Sequence, residues 1–582
     1  IIDSIYQKKD TLGLMPTGGG KSITFQVPAL AQEGTCLVIT PLIALMKDQV
    51  SGLQKKGIKA AAIYSGMRRD EIIITLENCI FGNYKFLYLS PERLETELFL
   101  SKLNDLNVSF ITVDEAHCIS QWGYDFRPSY LNINKLRELK PDCPVLALTA
   151  TATPKVVKSI TENLGFKTTN IFQKSFKRDN LIYNVEYSED KYKRLVSLLN
   201  STTGSGIVYV RNRKKTKELA EYLNMNNISA SFYHAGLDYY TKDKRQKEWT
   251  DGTTRIIVST NAFGMGIDKP DVRIVVHFDI PDSPEAYFQE AGRAGRDGEL
   301  SVACLLYSKP DVTNLKKNLT NSFPEKAFIQ TVYHHLMNHL QIALEDGIGR
   351  SYGFELGKFC QTFALNIVQA NNALNILERS GYIQNTDARD NSSRLFFIAG
   401  KEELFNFQEQ NNDYENLIKT ILRSYSGLFS SYVYINEATL SERTGIDKEH
   451  IYNYLSTLSM ARMVSYIPQK KRPTVTLLKD RVDTRLVNIP KAVYEEQQLR
   501  MQERVNAMLY YTSSSLTCRS QILLNYFGET DSKPCGKCSI CKNNAISGNP
   551  FQTIRRAIIA IISDKTVSLN DLLFNLLDGS AK

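Results

Sequence analysis

Met15-Pro-Thr-Gly-Gly-Gly-Lys-Ser22 decides the fold. It follows a short apolar run that begins at Thr11, and a helical stretch comes after it. Three glycines ahead of Lys-Ser let backbone N–H groups curl around phosphate oxygens, with a helix N-terminus directly behind. Lys21 can reach the terminal phosphates of a nucleotide and Ser22 can hold Mg²⁺. Met15 stands where the strict form of this loop has its first glycine, so a plain glycine-rich turn before a helix is the alternative. Val113-Asp-Glu-Ala-His117 argues against that alternative. Asp114 can hold the same Mg²⁺ through water, and Glu115 can orient the attacking water or accept its proton. An acid-rich helix start would explain Asp-Glu-Ala-His alone. It does not explain finding both stretches in one chain, each at the end of an apolar run.

Outward from the loop, residues 1–168 alternate short apolar runs with helical stretches. Thr35–Thr40, Lys85–Ser90, Phe110–Val113 and Val145–Thr149 are bounded by turn residues. This is the pattern of buried parallel strands joined by crossover helices, with ligands at the strands' carboxyl ends. Residues 169–312 form a second α/β unit, with strands at Gly206–Val210, Ala230–Tyr233, Arg255–Ser259 and Ile274–Phe278, and no phosphate loop. It carries Gly264-Met-Gly-Ile-Asp268 and Gln289-Glu-Ala-Gly-Arg-Ala-Gly-Arg-Asp297. Arg293 and Arg296 share one side if that segment is helical. There they can spread over transferring phosphates as arginine fingers do. A surface helix with two solvated arginines is the plainer alternative, and the flanking glycines weaken it. Two such units enclose a cleft that nucleotide closes and hydrolysis opens.

A chain of 582 residues with 42% hydrophobic content supports several domains and cores. Its net charge of +9 favours a polyanionic partner without requiring one. No run of eighteen apolar residues exists, and the N-terminal Ile-Ile-Asp-Ser-Ile has neither a basic region nor a cleavage site. The chain reads as starting in mid-element, with an upstream segment expected. Six of ten cysteines are scattered and four crowd into Cys518-x16-Cys535-x2-Cys538-x2-Cys541. That suits a reducing compartment and one metal site. Four thiolates at this spacing suit tetrahedral Zn²⁺ with no open position, so the site is read as structural. An iron–sulfur cluster is the alternative.

Beyond Lys309 the pattern turns helical. Residues 313–405 read as a connector and a winged helix. Its helices are Phe354–Phe363 and Ile367–Gly381, and its hairpin pairs Tyr382-Ile383 with Arg394–Ile398. Residues 406–490 read as a second winged helix, with helices Thr439–Thr444 and Lys448–Met460. Its hairpin pairs Met463–Ile467 with Thr474–Leu478 through the basic tip Gln469-Lys-Lys-Arg-Pro473. Such a tip is placed to touch phosphates, or is an ordinary charged turn. Residues 491–545 hold the cysteines, and 546–582 read as the start of a small helical module. His334, His335 and His339 fall at helical spacing without acidic or thiol partners, and read as ordinary helix residues.

Together these stretches resemble superfamily-two helicases, and more narrowly the RecQ family of DNA helicases. The motifs run in order through residues 1–310. They are Met15–Ser22, Thr40–Val50, Ser90-Pro-Glu-Arg-Leu94, Asp114–His117, Leu148-Thr-Ala-Thr-Ala152, Ser175–Leu181, Tyr233–Leu237, Ala262–Arg273 and Tyr287–Gly298. Cys118-Ile-Ser-Gln-Trp-Gly-Tyr-Asp-Phe-Arg-Pro128 looks like the family's aromatic-rich loop, which couples DNA contact to hydrolysis. Trp122 and Phe126 offer faces on which bases stack, worth about 1–3 kcal/mol per base. Arg127 can meet phosphate or stack. Tyr124 departs from the family, which usually has histidine there. The family's adenine-recognition segment lies upstream of its phosphate loop and would precede Ile1. Arg519, Leu524–Glu529 and Gly536 resemble the family's zinc module, which in the family follows the helicase core at once. Here residues 313–495 intervene.

The resemblance implies two RecA-like parallel-sheet domains, followed by winged-helix-like modules and a helical zinc-binding module. It implies an ATP-dependent, DNA-stimulated helicase moving 3′-to-5′ on single-stranded DNA, with ATP, Mg²⁺ and Zn²⁺ as cofactors. Recombination, repair or replication is the implied setting, and the bacterial nucleoid or a nucleus the implied place. Thr17, Gly18, Gly19, Gly20, Lys21, Ser22, Asp114, Gly264 and Asp268 would hold the nucleotide and its metal. Lys21, Glu115, Gln289, Arg293 and Arg296 would carry hydrolysis, and Thr149 and Thr151 would relay nucleotide state. DNA would pass Thr40, Arg93, Trp122, Phe126 and Arg127. An RNA-dependent ATPase shares the core motifs, and a scaffold with an idle motor is the non-enzymatic alternative. The aromatic loop and zinc module weigh against the first; intact Lys21, Glu115 and Arg296 weigh against the second.

Overall fold

Strands β1 (Thr11–Leu14), β2 (Thr35–Ile39), β3 (Ala60–Ile63), β4 (Phe86–Leu89), β5 (Val108–Val113), β6 (Val145–Thr149) and β7 (Ile171–Gln173) form one parallel sheet. Their order is β3-β4-β2-β5-β6-β1-β7. The central strands are buried on both faces, which is why they are unbroken apolar runs. Neither β3 nor β7 is expected from the sequence. The first is the alanine-rich edge Ala-Ala-Ala-Ile, and the second is exposed along its length, so neither carries a buried-strand pattern. A second parallel sheet comprises β8 (Leu181–Tyr187), β9 (Ser205–Tyr209), β10 (Ala230–Tyr233), β11 (Ile256–Ser259), β12 (Val272–His277) and β13 (Ser301–Tyr307). Its order is β10-β11-β9-β12-β13-β8.

The computed structural model describes residues 1–546 except 17, 65–66, 68, 168–169, 265–268, 387–392, 401–402, 405–413, 426–427, 430–432 and 469–472. Thr17, Asp268, most of the basic tip 469–473 and nearly all of the 546–582 module therefore lie outside the described residues. The chain divides into two units. One comprises Ile1–Ser65, Ile74–Lys316 and Gln502–Lys582; the other comprises Gly66–Ile73 and Lys317–Met501. The cysteine-bearing segment thus belongs to the unit that holds both parallel sheets, although residues 317–501 separate them in sequence.

The other unit contains two small antiparallel sheets. In one, β19 (Thr474–Leu477) lies between β14 (Ser351–Gly353) and β15 (Ile383–Thr386). In the other, β16 (Arg394–Phe397) lies between β17 (Val433–Tyr434) and β18 (Val464–Ile467). Neither hairpin expected from sequence forms: β15 pairs with β19 rather than β16, and β18 pairs with β16 rather than β19. The second module is inserted between two strands of the first. Each of these strands is four residues long and offers few buried positions. Local pattern cannot choose among such partners; shared burial does. Ile383, Val475 and Leu477 join a core with Leu374 and Leu377, whereas Leu395, Val464 and Tyr466 join one with Leu455 and Leu458. His335 stacks on Phe363 with ring centres 4.3 Å apart, and His339 packs on Phe359. Among the described residues the histidines form no metal-ligand group.

Candidate functional site

The turn after β1 needs its glycines. Gly18 and Gly20 have φ of +78° and +86°, and a Cβ on Gly19 would meet the Pro16 carbonyl at 2.8 Å. Gly20 caps the helix Lys21–Ala31, which aims its N-terminus at the turn. At the end of β5, Asp114 is buried and accepts the backbone N–H of Glu115 at 2.9 Å. Glu115 adopts left-handed φ +48°, ψ +46°, a conformation rare for a side-chain-bearing residue and concentrated at functional sites. Burial, then the charge of Glu115, pushes the Asp114 carboxyl up to about 7, while Lys21 pulls it back. A buried acid beside a second acid suits a bound cation. His117 is fully buried. Its Nδ1 lies 2.9 Å from Thr149 Oγ1 and 3.4 Å from Glu115 Oε2, and burial holds its imidazole below the usual range. The Thr151 N–H donates to Thr149 Oγ1 at 3.3 Å, so the Leu148–Ala152 stretch reaches Glu115 through His117.

The opposite wall comes from the second sheet. The helix Pro284–Ala291 presents Gln289 and stops before both arginines, so Arg293 and Arg296 do not lie on one helix face as the sequence suggested. They sit on consecutive turns, with Gly295 at φ +61° between them. A Cβ on Gly295 would strike Asn180 Nδ2 at 2.6 Å and Glu299 O at 2.7 Å. Arg178, unassigned by the sequence reading, holds these turns by donating to the Ala294 and Gly295 carbonyls at 3.0 and 2.7 Å. Arg296 reaches the phosphate loop: a Cβ on Gly18 would lie 3.7 Å from Arg296 Cγ. Arg293 points to Gly264, whose Cβ position is 3.6 Å from Arg293 Nη2. Arg293 is 4% exposed, and its Nε and Nη1 have no hydrogen-bond partner among the described residues. A guanidinium left so is costly unless an anion enters beside it. The structure brings Lys21, Asp114 and Glu115 to one wall and Gln289, Arg293 and Arg296 to the other.

The aromatic stretch bridges the walls. Gly123 lets the chain turn where a Cβ would lie 2.3 Å from the His117 carbonyl. Trp122 remains 36% exposed beneath the Lys155 ammonium, 5.0 Å from its ring centre. Tyr124 stacks on His117 with centres 4.8 Å apart, and its hydroxyl donates to Gln289 Oε1 at 2.5 Å. Arg127, expected to meet phosphate or stack, donates to Asp125 and to the Pro41 carbonyl, and Phe126 is half-buried beside it. Thr40 is buried, and its Oγ1 has no hydrogen-bond partner among the described residues. Arg93 donates to the Tyr64 carbonyl at 2.8 Å, and burial lowers its pKa.

The ligand atoms of Cys518, Cys535, Cys538 and Cys541 lie within 4.8 Å of one another. This fits one tetrahedral ion held by four sulfurs. Hydrogen bonding to Cys535 and Cys538 pushes the Cys518 thiol up, while Cys518 and Cys535 hold the Cys538 thiol down. The module docks on the core through contacts that carried no local signal. Phe527 packs on Phe176 and Phe288, and Glu529 accepts from Ser175 Oγ and the Phe176 N–H. Tyr511 donates to the Tyr287 hydroxyl, and Tyr526 donates to Glu285 at 2.8 Å.

The fold and the site define a two-domain, phosphate-loop helicase core carrying a four-cysteine module. Family models agree segment by segment: DEAD/DEAH box helicase over residues 1–160 and helicase conserved C-terminal domain over 190–298. The RecQ helicase winged-helix domain of Bacteroidota matches residues 395–468, and the RecQ zinc-binding model matches 477–542. The inserted module is thus the segment that the winged-helix model matches. Two of the four models are RecQ models, and over the matched segments the chain is similar to the RecQ helicases. It is 45% identical over 307 residues to the ATP-dependent DNA helicase RecQ of Bacillus subtilis, covering 52% of each chain. It is 40% identical over 337 residues to that of Haemophilus influenzae, covering 58% of this chain and 54% of the relative. With the ATP-dependent helicase SGS1 of Saccharomyces cerevisiae it shares 38% identity over 343 residues, covering 56% of this chain and 24% of the relative. The matches thus span about half, or less, of these relatives.

Proposed function

We propose that the chain is an ATP-dependent DNA helicase that translocates on single-stranded DNA and separates duplex DNA in recombination, repair or replication. The observation that carries this reading is the meeting of Arg296 with Gly18 and of Arg293 with Gly264, across from Lys21, Asp114 and Glu115. In this reading Gly18, Gly19, Gly20 and Lys21 bind the phosphates, and Ser22 and Asp114 hold Mg²⁺. Glu115 takes the proton of the attacking water, and Gln289, Arg293 and Arg296 meet the developing charge. Trp122 and Phe126 stack bases, with Thr40, Arg93 and Arg127 along the strand. Tyr124 connects that track to Gln289. The four cysteines hold a structural Zn²⁺. Opening a base-pair step costs on average about 1.4 kcal/mol, so each cycle of cleft closure needs only a modest bias on strand position. The 3′-to-5′ direction and a cytoplasmic, nucleoid-associated place are what the family resemblance implies.

Strand separation of a 3′-tailed duplex with ATP tests this, comparing the chain with Glu115→Gln. The expected result is unwinding by the first and none by the second. If neither separates strands while both bind DNA, the motor reading fails.

A further inference from the structure

The helix Glu495–Ser513, which leads into the cysteine module, also reaches the aromatic loop. Arg504 Nη2 donates to two consecutive backbone carbonyls of that loop, Trp122 O at 2.9 Å and Gly123 O at 2.8 Å. Charge-assisted hydrogen bonds of this kind are roughly twice as strong as neutral ones. The bond falls on the tightest point of the loop, where Gly123 N–H donates to Ser120 O at 2.9 Å and no Cβ fits. One residue earlier, Glu503 lies 3.3 Å from Lys155 Nζ, the ammonium that covers the Trp122 ring. That pair is exposed and contributes little by itself.

These contacts close a circuit. The aromatic loop meets the helix Pro284–Ala291 through Tyr124 and Gln289. That helix meets Glu495–Ser513 through Tyr287 and Tyr511, which are both buried. Arg504 returns the connection to the loop. Tyr124 and Arg127 tie the later part of the loop to His117, Gln289 and Pro41; the tie at Trp122 and Gly123 adds a link, through Tyr511 and Tyr287, to the wall that carries Arg293 and Arg296.

We infer that Arg504 is a positioning residue for the proposed reaction: it clamps the aromatic loop so that a DNA base stacking on Trp122 shifts Gln289 and the arginine turns. The inference rests on the helicase reading but assigns a role outside the nucleotide and DNA contacts. It follows that the cysteine module does more than brace the fold, because its leading helix sets the responsiveness of the motor to DNA.

The test uses the full chain with Arg504→Ala and Arg504→Lys, assayed for ATP hydrolysis with and without an oligothymidylate strand. The expected result is a loss of DNA stimulation of about tenfold in Arg504→Ala, the scale of one lost charge-assisted pair. Basal hydrolysis and bound zinc stay unchanged, and Arg504→Lys recovers part of the stimulation. A second readout is independent of activity. Of the two tryptophans, Trp249 is fully buried, so acrylamide quenching reports Trp122. Quenching should rise in Arg504→Ala. Full DNA stimulation in Arg504→Ala overturns the inference, as does a parallel loss of basal hydrolysis and zinc, which would make Arg504 a folding residue. If the unsubstituted chain shows no DNA-stimulated hydrolysis, the helicase reading fails instead. Quenching then still decides whether Arg504 holds the loop.

Discussion

At the residue scale, Tyr124 shows how one substitution changes the character of a coupling. Its ring stacks on the buried His117 and its hydroxyl donates to Gln289. Tyr124→Phe keeps the stacking and loses the hydrogen bond. DNA-stimulated hydrolysis should fall about fivefold, the worth of a neutral hydrogen bond of about 1 kcal/mol, with little change in melting temperature. Burial raises the Tyr124 phenol well above its usual range, so it stays protonated and keeps its donor through pH 9. The Tyr124–Gln289 hydrogen bond should therefore be insensitive to pH across the neutral range. Tyr124→His places there a group whose ordinary pKa is about 6.5 and which burial lowers. Its stimulation should be greatest at low pH, where both ring nitrogens donate, and should decline as pH rises to 8. Pre-steady-state hydrolysis at a series of pH values measures this. Gly123→Ala is a different case: the added Cβ would lie 2.3 Å from the His117 carbonyl, so the loop must shift. A melting temperature lower by several degrees, with weaker DNA stimulation, is expected for a cost of about 1–3 kcal/mol. An unchanged melting temperature would show that the turn yields freely.

At the element scale, the cysteine module is a clamp as much as a metal site. Its sulfurs converge at one end, and Phe527 and Glu529 grip Phe176 and Ser175 at the junction between the two parallel sheets. Removing the ion leaves crowded thiols without a counter-charge, and structural sites of this kind lose their fold with their metal. Chelation should expose protease sites around residues 518–541 first and around Ser175–Leu181 next, since Glu529 caps that segment. Limited proteolysis with mass spectrometry reads the order of cleavage. Simultaneous cleavage at both places would mean that the two elements unfold together. Cys538→Ser should reproduce the chelated pattern.

At the scale of the whole molecule, the nested winged-helix module makes a definite engineering prediction. β15 and β19 pair antiparallel with Thr386 opposite Thr474, so the ends of the insertion are neighbours. Replacing residues 387–473 by Asn-Gly should give an ordinary two-residue hairpin and leave the outer module folded. The shortened chain should keep its ATP hydrolysis, and circular dichroism should show a cooperative melt. Loss of cooperativity would mean that the inner module supports the outer core. The inner segment, residues 394–467, carries its own core of Leu395, Ile418, Leu440, Leu455 and Leu458. Its independent folding is testable by the dispersion of its NMR spectrum.

Sequence alone determined the chemistry that depends on local geometry. A glycine turn can cradle phosphate only with backbone angles that Gly18 and Gly20 supply, and an acid pair at a strand end needs nothing distant to be recognised. The Cys-x2-Cys-x2-Cys run likewise carries its own ligand spacing. The paired arginines are legible as residues, but not their placement, because the helix stops at Ala291, before either of them, and Arg178 fixes the turns from elsewhere. Tertiary structure alone decided which short strands pair, since four alternating residues fit several partners and only a shared core distinguishes them. It also decided that Arg504, on a charged helix with no motif, meets a loop 381 residues away. Such contacts arise from long-range packing, which no local pattern of residues encodes.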